Sequence, residues 1–432
     1  MNPTGVPSPA RVAVQAEHLS DNLTDSSISE PELEPPNLSV EVATNLQAVE
    51  DLRPAWTSWT HNLDTDIDYY LHNLRNDPTV LHPYVIAVYQ AGIAEAILVG
   101  LVRKRRISTV VSFVAIRGPK VRALEIVHRG RLGQLCPAID KLMAAQLFKA
   151  IKSDGVDILC FHRLALRSEL FREVQQLPSL ILKERVPHTF CYSVLSLTAS
   201  AGKRPPAFSG KINREISRKT RILQRAFPGR VRFKCYSQPN ELDAGIRDAA
   251  KVAAATWQHY VGSKVLESPR TQESFKFCAS QGWLRIYVLY IDDLPRAFMI
   301  GQLYKETFYC QHAGYDRKVA RFSVGSLLTA WALENLAGAG VQQVVLGEGG
   351  QEHNRRLGCQ RFEEGTVHVY SHSLRGLYVN IFVSLTGAIR AVGRHARWGL
   401  RLDRVGKVWR ELLIARWASN SPSSSPPEVL AK

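Results

Sequence analysis

The spacing of apolar residues predicts an ordered chain from residue 38 onward, built as two similar halves. The first half predicts a strand, two helices, a three-strand meander, a long helix, a short apolar strand, a helix and a final strand. Its strongest helical period covers Pro137–Ser153. A basic helix over 211–226 follows, and the same order then returns with Val324–Gly338 as the strongest helix. Two copies of one order indicate an internal duplication.

This pattern sets the domain boundaries that we expect. The segments are an acidic, proline-rich and disordered tail at 1–37, a first repeat at 38–200, a basic linker helix at 201–230, a second repeat at 231–373, amphipathic basic helices at 374–418 and a disordered tail at 419–432. The expected fold class is α/β (α+β), with two tandem domains that each hold a mixed, mostly antiparallel sheet flanked by helices.

Charge adds information once it is located along the 432 residues. The formal net charge is +16, and most of the excess lies in 203–234 and 374–418. No apolar run is long enough to cross a bilayer, and the first residues do not resemble a secretory signal. The seven cysteines lack the spacing of a zinc site or a disulfide framework, so we expect no metal and a cytoplasmic protein.

The most informative motif opens the strong helix of the second half. It consists of Arg321, Phe322, Ser323, Val324, Gly325 and Ser326. A helix start presents unpaired backbone N–H groups and a positive dipole end, which suits a phosphate group. Arg321 adds a positive charge, and both serines carry hydroxyl donors. The alternative is that Ser323 only caps the helix.

The element order and three linked motifs resemble the GNAT acyltransferase fold. The motifs are Tyr309–Asp316, Ser323–Leu328 and Val345–Gly349. The tandem arrangement is similar to that of the FemAB and CelD/BioF-like acyltransferases. The resemblance covers residues 38–373 and implies an N-acyltransferase that uses acetyl-CoA or another acyl-CoA. It also implies that the strands at 309–314 and 342–346 part, so that the pantetheine chain lies between them.

The resemblance implies site residues in the second repeat. Residues 321–326 would bind the pyrophosphate. Glu348, after the buried strand, is our first candidate base, with His353 as an alternative, because transfer requires removal of a proton from the acceptor. Tyr315 is a candidate donor to the departing thiolate. Each of these side chains also has an ordinary interpretation as a solvated turn residue or a packed aromatic.

Two departures from the family pattern bear on activity. The family tends to carry a Tyr-Lys pair where this chain has His353 and Asn354. Either Arg355 supplies the charge of the lysine from the next position, or the activity is changed or weakened. The first repeat has no Ser-x-Gly at its helix start, within 130–137. We therefore assign that repeat to structure and to binding of the acceptor.

Other functions fit the same residues. The acceptor would be an amine or hydroxyl on a small molecule, a polysaccharide or a cell-envelope precursor. The basic helix at 211–226 suits an aminoacyl-tRNA, the donor of FemAB-like enzymes, or RNA binding without catalysis. The arginines and tryptophans of 374–418 suit peripheral contact with an anionic membrane at the inner membrane surface.

Overall fold

The fold is described from a computed structural model. It covers residues 38–59, 62–111, 114–153, 155–176, 188–197, 210–254, 266, 268–347 and 351–399. The predicted tails at 1–37 and 419–432 lie outside these residues, as does 400–418. Within the described part no helix is long and apolar enough to cross a membrane.

The described residues of the first half contain six strands and five helices, in the predicted order except that three helices rather than two precede the meander. They are β1 (Leu38–Ala43), α1 (Leu46–Asp51), α2 (Arg53–Ser58), α3 (Ile67–Asn76), β2 (Val80–Gln90), β3 (Ile93–Val111), β4 (Val114–Gly133), α4 (Pro137–Ser153), β5 (Ile158–Ala165), α5 (Glu169–Gln176) and β6 (His188–Ser196). The apolar spacing of 47–61 predicts one helix over that range. This prediction is wrong, because the chain breaks at Leu52 and restarts with Pro54 in the first turn of α2.

The basic linker helix and the second half follow. Their elements are α6 (Gly210–Ala226), β7 (Val231–Tyr236), α7 (Leu242–Ala254), α8 (Pro269–Ser280), β8 (Leu284–Ile291), β9 (Leu294–Tyr304), β10 (Thr307–Tyr315), α9 (Val324–Gly338), β11 (Gln343–Leu346), α10 (Gln351–Arg356), β12 (Gln360–Tyr370) and α11 (Leu374–Gly399). The bounds of α4 and α9 are those predicted from periodicity.

The twelve strands form one continuous sheet in the order β1-β2-β3-β4-β5-β12-β6-β11-β10-β9-β8-β7. The two halves exchange their last strands. β6 of the first half pairs antiparallel with β11 of the second, and β12 of the second half pairs antiparallel with β5 of the first. β6 and β12 also pair with each other, so the halves share a sheet.

Helices cover both faces of this sheet and bury separate cores. In the second half, α9 and the apolar side of α6 pack on one face, and α7 and α8 pack on the other. In the first half, α4 and α5 cover one face, and α1 to α3 cover the other. Val367 and Val369 of β12 lie in the core beneath α4, so the exchanged strand completes the first half's core.

The alternation of apolar residues predicts strands only at Ile93–Val102 and Leu124–Arg129. The hairpin of β3 and β4 is longer than this and projects beyond its neighbours. β2 pairs with β3 only as far as Arg103, and β5 pairs with β4 only from Ala123 onward. The segment between these points is a two-stranded arm, with Ser108 opposite Arg117. α11 packs along this arm through Val379 and Phe382.

Candidate functional site

The start of α9 is positioned by the turn that precedes it. β10 ends at Tyr315, and Asp316 begins a 3₁₀ turn over Arg317–Phe322. The Asp316 carboxylate accepts a hydrogen bond from the Lys318 N–H at 2.9 Å and pairs with Arg296 of β9 at 2.5 Å. The loop is therefore anchored to the sheet immediately before the helix begins.

Ser323 does not have the geometry of an ordinary helix cap. Its backbone is left-handed, with φ 56° and ψ 36°, and its side chain makes no capping hydrogen bond. A capping serine has extended backbone and accepts from an N–H in the first turn. The first helical hydrogen bond runs from the Leu327 N–H to the Ser323 carbonyl. The N–H groups of Val324, Gly325 and Ser326 therefore have no acceptor within the helix, which is the arrangement that binds anions.

Gly325 lies directly against the ring of Tyr315. A Cβ at position 325 would be 3.0 Å from Cδ1 of that ring, so a side chain there would displace the tyrosine. Tyr315 itself remains 46% exposed. Packing against Tyr315 therefore requires a glycine at this position, in addition to the predicted close approach of a phosphate.

Positive charge surrounds this helix start. The Arg321 guanidinium lies 4.8 Å from the ring centroid of Phe322, and Phe322 packs edge-on against Phe227 just after α6. Arg230 stacks in turn on Phe227. α6 presents further exposed arginines on its outer face, at positions 214, 218, 221 and 225.

The two parallel strands next to this helix start pair only briefly. β10 and β11 are in register at three positions, ending with Tyr309 opposite Val345. β10 then continues to Tyr315, with a bulge against β9 between Cys310 and His312. This stretch pairs with β9 but not with β11, and Gln311 and Ala313 are exposed on it. The edge of β10 beyond Tyr309 is the position at which a pantetheine chain is expected.

The predicted catalytic residues are placed only in part. Glu348 lies outside the described residues. The backbone of His353 lies in α10, which begins at Gln351. The side chain of His353 is not among the described parts of the structure. Tyr315 lies against Gly325 at the helix start, and Asn354 beside His353 is buried. The roles of these residues remain predictions.

The equivalent helix start in the first half is occupied by the chain itself. Arg131 pairs with Asp140 in the first turn of α4 at 2.7 Å and also donates to the backbone carbonyls of Leu132 and Gln134. Both side chains are largely buried. This ion pair lies in the first turn of α4, whereas the start of α9 has no such pair among its described contacts. The assignment of the first half to structure and acceptor binding stays a prediction.

A cluster of charged residues that the sequence did not predict joins the two halves. His128 of β4 contacts Asp64 through Nδ1 at 3.1 Å and Glu364 of β12 through Nε2 at 3.2 Å. Arg129 pairs with Glu364 at 3.5 Å and donates to the Tyr192 hydroxyl on β6. We call Asp64, His128, Arg129, Tyr192 and Glu364 the inter-repeat cluster.

Burial and charge shift the protonation of this cluster. Burial alone would lower the pKa of His128, but the hydrogen bonds to Asp64 and Glu364 outweigh it and raise that pKa. Burial would raise the pKa of Glu364, but His128 and Arg129 hold it below its usual value. Arg129 also has a left-handed backbone, φ 53°, at an irregularity where β3 and β4 lose register. Buried charge and backbone strain together are typical of functional sites.

A cavity of about 570 Å³ adjoins the inter-repeat cluster. Its walls include the aromatic rings of Tyr192, Tyr309 and Phe362, of which the first and last stack at 5.4 Å. Arg129 and Arg356 supply positive charge, and no lining residue in the described part is acidic. Strands of both halves line the cavity. Burial raises the pKa of Tyr309.

Comparison with known proteins gives one family match. Residues 210–355, from α6 to α10, match the model of the acetyltransferase (GNAT) domain. No curated protein sequence matches the chain. No group of three or more His, Cys, Asp or Glu side chains in the described part is arranged to hold a metal ion.

Several solved structures are similar to this chain over most of their own length. FemX is 8% identical, with a TM-score of 0.50, and the match covers 74% of this chain and 96% of that one. A tandem GNAT protein from the clavulanic acid biosynthesis pathway is 12% identical over 78% and 99%, with a TM-score of 0.42. L-PGS from Bacillus licheniformis is 12% identical over 77% and 95%, with a TM-score of 0.44.

The family match defines the class of the matched segment. Residues 210–355 form an acetyltransferase (GNAT) domain, and the likeness to FemX, at 8% identity, shows a shared fold. The matched residues contain both the helix start of α9 and the unpaired edge of β10.

Proposed function

We propose that the second half binds an acyl-CoA and transfers its acyl group to an amine or hydroxyl of an acceptor held between the halves. The observation that carries this proposal is the uncapped start of α9 beside the unpaired edge of β10. Three backbone N–H groups and Arg321 would bind the pyrophosphate there. The pantetheine chain would follow β10, which brings the thioester toward the sheet centre.

The transfer itself needs few groups. The acceptor nitrogen or oxygen attacks the thioester carbonyl, a base takes the proton released, and the C–S bond breaks as the thiolate leaves with a proton from a donor. Glu348 and His353 are the proposed bases of the second half. Tyr315, at the helix start, is the proposed donor.

The acceptor is proposed to occupy the cavity beside the inter-repeat cluster. Its aromatic walls offer stacking faces, and its two arginines attract an anionic group. A sugar ring that carries a phosphate or carboxylate would use both features. This chemistry fits a polysaccharide or cell-envelope precursor better than an uncharged small molecule.

The donor site is tested with a pair of variants at one position. Asp and Asn both tolerate the left-handed backbone of Ser323, so neither should disturb the fold. Ser323→Asp places a negative charge where the pyrophosphate would lie, whereas Ser323→Asn keeps the site neutral. With acetyl-CoA or a longer acyl-CoA at about 100 times its dissociation constant, we expect a stabilisation of about 2.7 kcal/mol for the wild-type chain.

We expect this stabilisation to persist in Ser323→Asn and to disappear in Ser323→Asp. Thermal unfolding with and without the ligand measures it. Equal stabilisation of both variants would place the phosphates elsewhere. No stabilisation of the wild-type chain by any acyl-CoA would exclude a CoA-dependent reaction.

An aminoacyl-tRNA donor is the second candidate, and α6 is the observation that favours it. Ile216 and Leu223 on one side of α6 pack into the core, while its exposed arginines face solvent next to the turn before α9. Replacing Arg218 and Arg221 with Gln should weaken tRNA binding and flatten its dependence on salt. Tight tRNA binding together with no stabilisation by acyl-CoA would favour an aminoacyl-tRNA donor. tRNA binding that does not change in the variant with both replacements would exclude α6 as the surface that binds this donor.

A further inference from the structure

The inner face of α11 is fixed against the arm of β3 and β4. Val379 is fully buried, and Phe382 and Val383 pack on a core that includes Ile107, Val121 and Tyr370. The Phe382 ring lies so close to Gly118 that a Cβ there would be 2.6 Å away. The orientation of α11 about its own axis is therefore set by packing.

The outer face of the same helix is apolar and exposed. Its side chains recur every three or four residues, and they are Leu374, Leu377, Tyr378, Ile381, Leu385 and Ile389, with exposures from 41% to 88%. We call these six residues the outer stripe. It extends over about 22 Å at the rise of an α-helix. Contiguous exposed apolar surface of this kind marks a contact with another body.

The charge around the outer stripe indicates the kind of partner that this surface contacts. None of the 26 residues of α11 is acidic, and the helix sequence carries Arg375, Arg390, Arg394 and Arg397. The supporting arm adds the exposed side chains of Lys104, Arg106, Arg117 and Lys120, whereas Arg103 and Arg105 are paired with Asp77 and Glu125. Two copies of such a surface would repel each other, whereas an anionic surface would be attracted.

We propose that the outer stripe inserts into the interface of an anionic lipid bilayer, with α11 lying parallel to the membrane plane. An apolar stripe on a basic helix is the arrangement that binds such interfaces. Trp398 lies near the end of α11, and the sequence beyond the helix adds Trp409, Trp417 and further arginines beside Asp403 and Glu411. Docking through this face is independent of which donor or acceptor the enzyme uses.

The test is flotation of the full-length protein with vesicles. We expect it to bind phosphatidylglycerol-rich vesicles and not pure phosphatidylcholine vesicles. The double variant Ile381→Glu/Leu385→Glu should bind at least about tenfold more weakly, because two side chains no longer enter the apolar interface. Its control is Ile93→Glu/Leu294→Glu, which makes the same charge change at exposed apolar positions outside α11 and should bind as the wild-type chain does.

Three outcomes would overturn the proposal. One is the absence of binding to either vesicle. Another is an equal loss of binding in the two double variants, which would indicate general electrostatic attraction. The third is a dimeric wild-type chain that becomes monomeric in Ile381→Glu/Leu385→Glu by light scattering, because a second copy would then cover the outer stripe. Circular dichroism of each variant verifies that the fold is intact.

Discussion

At the residue scale, the side chain of His128 contacts both halves of the molecule. Its ring lies between a carboxylate of the first half and one of the second, and the hydrogen bonds that it donates to both raise its pKa against the effect of burial. The stabilisation by the charged ring is complete below pH 6.5, where the unfolded ring is also protonated. It is lost as the pH rises through the raised pKa of the folded state.

We therefore predict that His128→Asn destabilises the protein more at pH 6 than at pH 9. The loss at pH 6 should be about 2 kcal/mol, because hydrogen bonds to charged groups are removed. Urea unfolding at the two pH values measures it. His82→Asn, at a ring 2.9 Å from a backbone carbonyl, is the control. The interpretation is wrong if the His128→Asn loss is the same at both pH values.

Gly325 gives a second prediction at this scale. Gly325→Leu must displace the Tyr315 ring, so we expect a loss of about 1–3 kcal/mol in stability and loss of acyl-CoA binding. Gly338→Leu, at the open end of the same helix, should cause neither effect. Thermal unfolding with and without acyl-CoA compares them. Unchanged acyl-CoA binding in Gly325→Leu would separate this helix start from the donor site.

At the element scale, β12 stabilises a half to which it does not belong in sequence. Val369 is 1% exposed in the core beneath α4, and it lies opposite Leu159 of β5. We predict that Val369→Ala lowers the free energy of unfolding by about 2 kcal/mol, since a buried cavity forms. It should also speed amide hydrogen exchange in β5 of the first half. Faster exchange confined to the second half would contradict this role.

Elements with strong local signals were predicted well. α4 begins with a proline and carries a long apolar period, and α9 has equally clear periodicity, so the bounds of both were predicted correctly. The arm was missed because its run of Arg103 to Arg106 and its Gly118-Pro119 pair resemble a loop. α1 and α2 were merged because the periodicity around Pro54 continues across the break.

Nonlocal features were not predictable from these patterns. The exchange of β6 and β12 depends on pairing between strands far apart in sequence. The inter-repeat cluster escaped prediction for the same reason, since Asp64, His128 and Glu364 come from three separate segments and none forms a motif. The helix start at Ser323 was found because all of its residues are consecutive.

At the scale of the whole molecule, the shared sheet makes the halves depend on each other. A fragment of residues 38–197 would lack β12, and β6 would lose both of its neighbours. We predict that this fragment alone unfolds without a cooperative transition, because its core lacks Val367 and Val369. Coexpression with residues 198–432 should restore a single transition, measured by urea unfolding. Cooperative unfolding of the fragment alone would contradict this dependence.

The exchanged strands also fix when the protein can fold during its synthesis. Domains generally fold as units, starting from the N-terminus, while the ribosome is still translating. Here the first half must wait for β12, which ends at Tyr370, and β6 must wait for β11. The first core therefore closes only after the chain has left the ribosome as far as Tyr370. Until then β5 has an unpaired edge, which is the kind of edge that can pair with a strand of another chain.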